Sequence, residues 1–87
     1  MNNPDKKIAL VNAITELSIK ISSFNIIDIF VEYSSHTTGL CIRVMKEGWV
    51  ADNPKTDYQR TVYLNWNNSE EDLQEVIDYL RKIKEEN

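Results

Sequence analysis

The sequence predicts an α+β two-layer sandwich of element order α-β-β-β-α: a three-stranded antiparallel sheet with two helices packed on one face. Three observations carry this reading. A segment near each end places apolar residues three and four apart, the stripe of a helix with one buried side. Between them, three shorter runs alternate apolar and polar residues, the period of a half-buried strand. The length, 87 residues, gives room for one layer of helices on one sheet and a small core. Residues 1–87 are therefore expected to form one domain.

The first helix opens at Asn3-Pro4-Asp5. Asn3 can cap, Pro4 suits the first helical position, and Asp5 carries the charge that the macrodipole favours there. Leu10, Ala13, Ile14, Leu17 and Ile21 follow as one stripe, widened by Val11. The helix is expected to fade between Ile19 and Ser22, where β-branched residues meet Ser22-Ser23 and Asn25 offers a turn.

Ile26 to Tyr33 reads as the first strand, with Ile27, Ile29, Val31 and Tyr33 on one face. Leu40 to Met45 reads as the second, with Leu40, Ile42 and Val44 on one face. Ser34 to Gly39 then closes a hairpin, and Gly39 is placed to supply a positive φ. Pairing Tyr33 with Leu40 sets Val31 against Ile42 and Ile29 against Val44. A slip of one residue would mix the faces, so the pattern selects this register.

Glu47 to Asp57 is the longest irregular stretch, broken by Gly48, Asn53 and Pro54 and carrying Trp49. Tyr58 to Trp66 reads as the third strand, with Val62, Leu64 and Trp66 turned to the core. Asn67-Asn68-Ser69 precedes the second helix. Asn68 with Glu71, or Ser69 with Asp72, has the spacing of a capping box. Leu73, Val76, Ile77, Leu80 and Ile83 or Lys84 follow as its stripe.

Composition narrows the function classes. Fourteen acids stand against ten bases, a net charge of −4. Binding to a phosphate backbone rests on concentrated Lys and Arg, so nucleic acid is not the expected partner. Another protein is, a basic one in particular. Cys41 is the single cysteine, so no disulfide forms within the chain. The first ten residues hold no apolar run ending in small residues, and no stretch nears 18 apolar residues. Neither a signal peptide nor a membrane span is expected, and the cytoplasm is the expected location.

Candidate chemistry is sparse. His36, the only histidine, lies in the hairpin loop five residues before Cys41. A metal site needs three or four ligands, and a nucleophilic pair needs a third group to orient the imidazole. Neither is apparent, so no catalytic residue, metal ligand or cofactor is assigned. The run Ser35 to Leu40 resembles a piece of a small enzyme family associated with thiamine-phosphate synthesis. The further histidines and carboxylates that family needs are missing, and no activity is carried over. The element order is similar to that of the double-stranded RNA-binding domain. That family grips phosphate with lysines at the start of its last helix, where this chain has Glu70, Glu71 and Asp72.

The strongest candidates are surfaces. On the sheet face away from the helices the register gathers Phe30, Arg43, Met45 and Tyr63, residue types enriched at protein interfaces. Trp49 can extend that patch from the long loop. Glu71, Glu75 and Asp78 lie along one exposed side of the last helix and form a second, acidic surface. The sequence thus points to a small non-catalytic protein that binds or regulates another protein. An exposed sheet edge also offers a homodimer. The alternative is a small enzyme or enzyme subunit using His36 and Cys41.

Overall fold

The computed structural model describes residues 4–48 and 55–86. Its elements are α1 (Pro4–Phe24), β1 (Asp28–Ser34), β2 (Gly39–Met45), β3 (Tyr58–Tyr63) and α2 (Ser69–Glu86). The strands form one antiparallel sheet in the order β1-β2-β3, with both helices on one side. The expected architecture is the observed one. The hairpin register also holds residue for residue, with Tyr33 opposite Leu40, Val31 opposite Ile42 and Ile29 opposite Val44.

The core lies between sheet and helices. Leu40, Ile42 and Val44 of the central strand are fully buried. They meet Ile14 and Ile21 of α1 and Leu73, Val76, Ile77, Leu80 and Ile83 of α2. Each such side chain contributes about 1.5–3 kcal/mol through its burial. The edge strand β1 contributes less: Ile29 and Val31 are only half-buried, and Tyr33 exposes 54% of its surface.

α1 runs to Phe24, past the expected end between Ile19 and Ser22. Ser18, Ser22 and Ser23 each donate a hydroxyl to the carbonyl one turn back, and Thr15 does the same. Asn25 then donates its amide to Ile21 O. The polar groups that suggest a break are absorbed by the helix they sit on.

β3 ends at Tyr63, three residues short of the expected strand end. Trp66 N–H donates back to Tyr63 O, so the chain turns there. Val62 is buried and Leu64 packs against the core, whereas Trp66 is 55% exposed. The expected core position for Trp66 is thus corrected. Of the two capping boxes that the spacing allows, the Ser69–Asp72 one does not form. Ser69 is fully buried and its Oγ donates to Leu64 O, while Asp72 takes Arg60.

Arg60 stands on the helix-facing side of β3, opposite Ile42. It reaches past the core edge to Asp72 at 2.8 Å and to Glu75. The hydrogen bond to Glu75 holds the guanidinium above its ordinary pKa. Nearby, Tyr58 of β3 stacks on Tyr79 of α2, with centroids 3.9 Å apart and ring planes 15° apart. Burial raises the Tyr79 pKa above the ordinary 10.0. The folded state therefore holds this proton more tightly than the unfolded chain. The associated stability is intact below the unfolded value and is lost as pH climbs past it. Melting temperature should fall above pH 10, and the fall should be smaller in Tyr79→Phe. An identical decline in both proteins would remove Tyr79 as a cause.

Candidate functional site

The sheet face away from the helices is built by alternate residues of three strands. Phe30, Arg43 and Gln59 form one row across it; Glu32, Cys41 and Thr61 form the next; Ser34, Gly39 and Tyr63 form the last. Antiparallel pairing brings directly opposed side chains close enough to interact. In the first two rows Arg43 meets Phe30, directly opposite, and Glu32, its diagonal neighbour. Its guanidinium lies over the Phe30 ring, 5.4 Å from the centroid, and donates to Glu32 Oε1 at 2.7 Å. Arg43 is half-buried and Glu32 is exposed, so the pair is worth no more than about 1 kcal/mol. It fixes an aromatic ring and a planar cation side by side on the surface.

The far end of the face is aromatic. Tyr63 and Trp66 pack with ring centroids 4.8 Å apart at 32°. The turn that carries Trp66 is tied at Leu64. The Leu64 N–H donates to Thr38 O, and its carbonyl accepts from Lys7 Nζ and Ser69 Oγ. One residue thus links the hairpin loop, both helices and the turn. Thr38, not Gly39, takes the positive φ of the hairpin, at 53°. The left-handed region is costly for a β-branched residue. It is held there by the Leu64 bond and by its hydroxyl, 3.0 Å from Asn65 Oδ1.

Gly39 is needed for another reason. A Cβ there would lie 3.3 Å from Cε1 of Tyr63 and 3.1 Å from Oγ1 of Thr37. The Tyr63 ring covers the glycine. Gly39→Val should therefore displace the ring and cost about 1–3 kcal/mol, the range for overpacking. A shift in the urea midpoint, with altered near-ultraviolet circular dichroism, is the check.

Phe30, Arg43 and Tyr63 share this outer face, with Phe30 and Arg43 in contact. Met45 falls on the same side by register, opposite Asp28, but it is buried and presents no surface. That corrects its expected exposure. Trp49 lies outside the described residues. Glu71, Glu75 and Asp78 belong to the helical layer on the other side of the sheet, so they form a separate surface. Two of them are engaged there: Glu75 accepts from Arg60, and Asp78 accepts from Gln74 at 3.0 Å. Trp66 is the site residue that sequence reasoning misplaced. The signal that could have found it is the Asn65 to Ser69 run, which is rich in turn-forming residues.

His36 is exposed in the loop of residues 35–38, and Cys41 stands mid-sheet between Glu32 and Thr61. Among the described residues no three His, Cys, Asp or Glu side chains are grouped to hold a metal ion. No described helix is long and apolar enough to cross a membrane. Comparison with protein-family models, curated proteins and solved structures finds no match.

Proposed function

We propose that this is a small cytoplasmic protein that binds and regulates or inhibits another protein, without chemistry of its own, through the outer face of its sheet. One observation supports this most. Both helices cover the same side of the sheet, while the other side carries Phe30 under Arg43 and the Tyr63–Trp66 pair. Aromatic and arginine side chains are the residues that most often dominate binding energy at interfaces. Arg43 is already neutralised by Glu32, so the face favours an apolar or aromatic partner surface over a phosphate chain. The acidic side of α2 has less support as the docking surface, because Arg60 and Gln74 occupy two of its three acids.

The test is capture of a stoichiometric protein partner from native lysate by wild type and by surface variants. Phe30→Asp and Trp66→Ala should lose the partner while keeping the wild-type melting transition within a few degrees. Glu71→Lys should keep it. A partner retained by the first two and lost by the third would reassign binding to the acidic helix.

A further inference from the structure

The free edge of the sheet is self-complementary, and we infer that two copies of this chain pair along β1 into one six-stranded sheet. This goes beyond the outer-face reading and does not depend on it.

The strand supplies the first half of the argument. The Leu64 N–H bonds Thr38 O across the β2–β3 register. Antiparallel strands alternate between residues that bond one neighbour and residues that bond the other. Even-numbered residues of β2 therefore face β3, and odd-numbered ones face β1. On β1 the partners of those odd residues are the even-numbered positions 28 to 34. Ile29, Val31 and Tyr33 consequently aim N–H and C=O outward, and no described strand pairs with them.

Edges of this kind are usually blunted by lysine, proline or a bulge. β1, Asp-Ile-Phe-Val-Glu-Tyr-Ser, has no lysine or proline, and its seven-residue register is unbroken. The opposite edge, β3, carries Arg60 on its helix side.

Charge selects one register among those that pair five or more of the seven residues. A two-fold axis at Val31 sets Val31 against itself, Ile29 against Tyr33, Phe30 against Glu32 and Asp28 against Ser34. An axis at Phe30 would oppose Asp28 to Glu32, and an axis at Glu32 would oppose that residue to its own copy. Like charges directly opposite are unfavourable. The Val31 register has no such pair, and its three outward residues give about six main-chain hydrogen bonds between the copies.

The helix supplies the second half. Ile8, Asn12, Thr15 and Ile19 lie on one line of α1 turned away from the core, with Ile8 57% and Ile19 60% exposed. The N-terminal part of α1 stands over the end of β1. There Ile8, Val11, Asn12, Tyr33 and Leu64 line a shallow groove of about 290 Å³. Val31 lies about 7 Å from Tyr33 along the strand, the rise of four to five helical residues. The same axis thus crosses α1 between Asn12 and Thr15. Ile8 and Ile19 sit on either side of that point, so each Ile19 seats in the Ile8–Tyr33 groove of the other copy.

Strand and helix agree on one axis, and an interface that repeats itself about a two-fold is the commonest way in which like subunits associate. A seven-residue edge spans about 24 Å, and the helical layer makes it roughly 20 Å deep. That is on the order of 500 Å² per copy, which brings the pair to about the lower bound of 1,000 Å² for a specific interface.

The experiment is light scattering across a dilution series, with residue-resolved amide exchange on the same samples. Wild type should show the mass of two chains. The amides of Ile29, Val31 and Tyr33 should exchange slowly at high concentration and faster on dilution. Ile19→Lys changes an exposed residue and should weaken the dimer at least roughly tenfold. Val31→Pro removes an outward N–H that no strand of its own copy uses and should do the same, with a melting transition that shows the variant still folds. A monomer at every concentration overturns the inference. So does a dimer that survives Ile19→Lys with those three amides unprotected. A dimer lost on Trp66→Ala but kept on Ile19→Lys also overturns it, and would assign self-association to the outer face. Partner capture by the monomeric Ile19→Lys variant separates the outer-face reading from this one.

Discussion

Ile42→Ala should lower the unfolding free energy by about 3–4 kcal/mol, within the usual range for an isoleucine truncated in a core. Ile42 is the middle residue of the middle strand. It is fully buried, opposite Val31 on one side and Arg60 on the other, and it faces both helices. The stiff sheet cannot close the space left by the missing carbons. A domain of this size has a total stability of only about 5–10 kcal/mol. The variant should thus lose a third or more of it and unfold at a much lower urea concentration. Lys82→Ala, at an exposed site of α2, is the control and should change stability by less than about 0.5 kcal/mol.

Lys7→Met should cost about 1–2 kcal/mol. Lys7 is buried, and its Nζ donates to Leu64 O. A hydrogen bond to a charged group is worth about 1.5–3 kcal/mol, and removal of the buried ammonium returns part of this. Methionine keeps most of the apolar stem. Ser69 Oγ still reaches the same carbonyl in this variant. Ser69→Ala alone leaves it the lysine. The double variant leaves it with neither, so its loss should exceed the sum of the two single losses by about 1 kcal/mol. Additive losses would show that the two donors act independently. Because the Leu64 peptide positions the turn that carries Trp66, the double variant should also change the near-ultraviolet circular dichroism.

The hairpin was legible because its alternation is strict. Ile29, Val31 and Tyr33 can meet Leu40, Ile42 and Val44 on one face in a single register, and the structure adopts it. α2 was legible because its stripe is uninterrupted. The failures fall where local bonds outweigh a pattern. The serines of α1 look like a stop until their hydroxyls are seen to bond back along the helix. Trp66 continues the alternation of Val62 and Leu64, yet the chain turns at Tyr63 because Lys7 and Ser69 draw the Leu64 carbonyl inward. Both donors are distant or hidden in the sequence. Arg60 sits in an otherwise apolar row and reads as a surface residue. Its partners, Asp72 and Glu75, become visible only once α2 is laid across the sheet.

The site was legible in part. Phe30 and Arg43 follow from the register alone, and they touch as the pairing requires. Tyr63 follows too, but its partner Trp66 does not. Gly39 was expected to serve a backbone angle, whereas its role is to leave space beneath the Tyr63 ring. The acids of α2 form a run in sequence and are divided in space by Arg60 and Gln74.

The most direct test of binding at the outer face is photo-crosslinking in cells. Thr61 is exposed in the middle row of that face, and Gln74 is exposed on α2. A photoreactive residue at each position reports what lies against it. The expected result is a discrete protein adduct from position 61 and none from position 74. An adduct from position 74 alone would contradict the account and place the partner on the helical side.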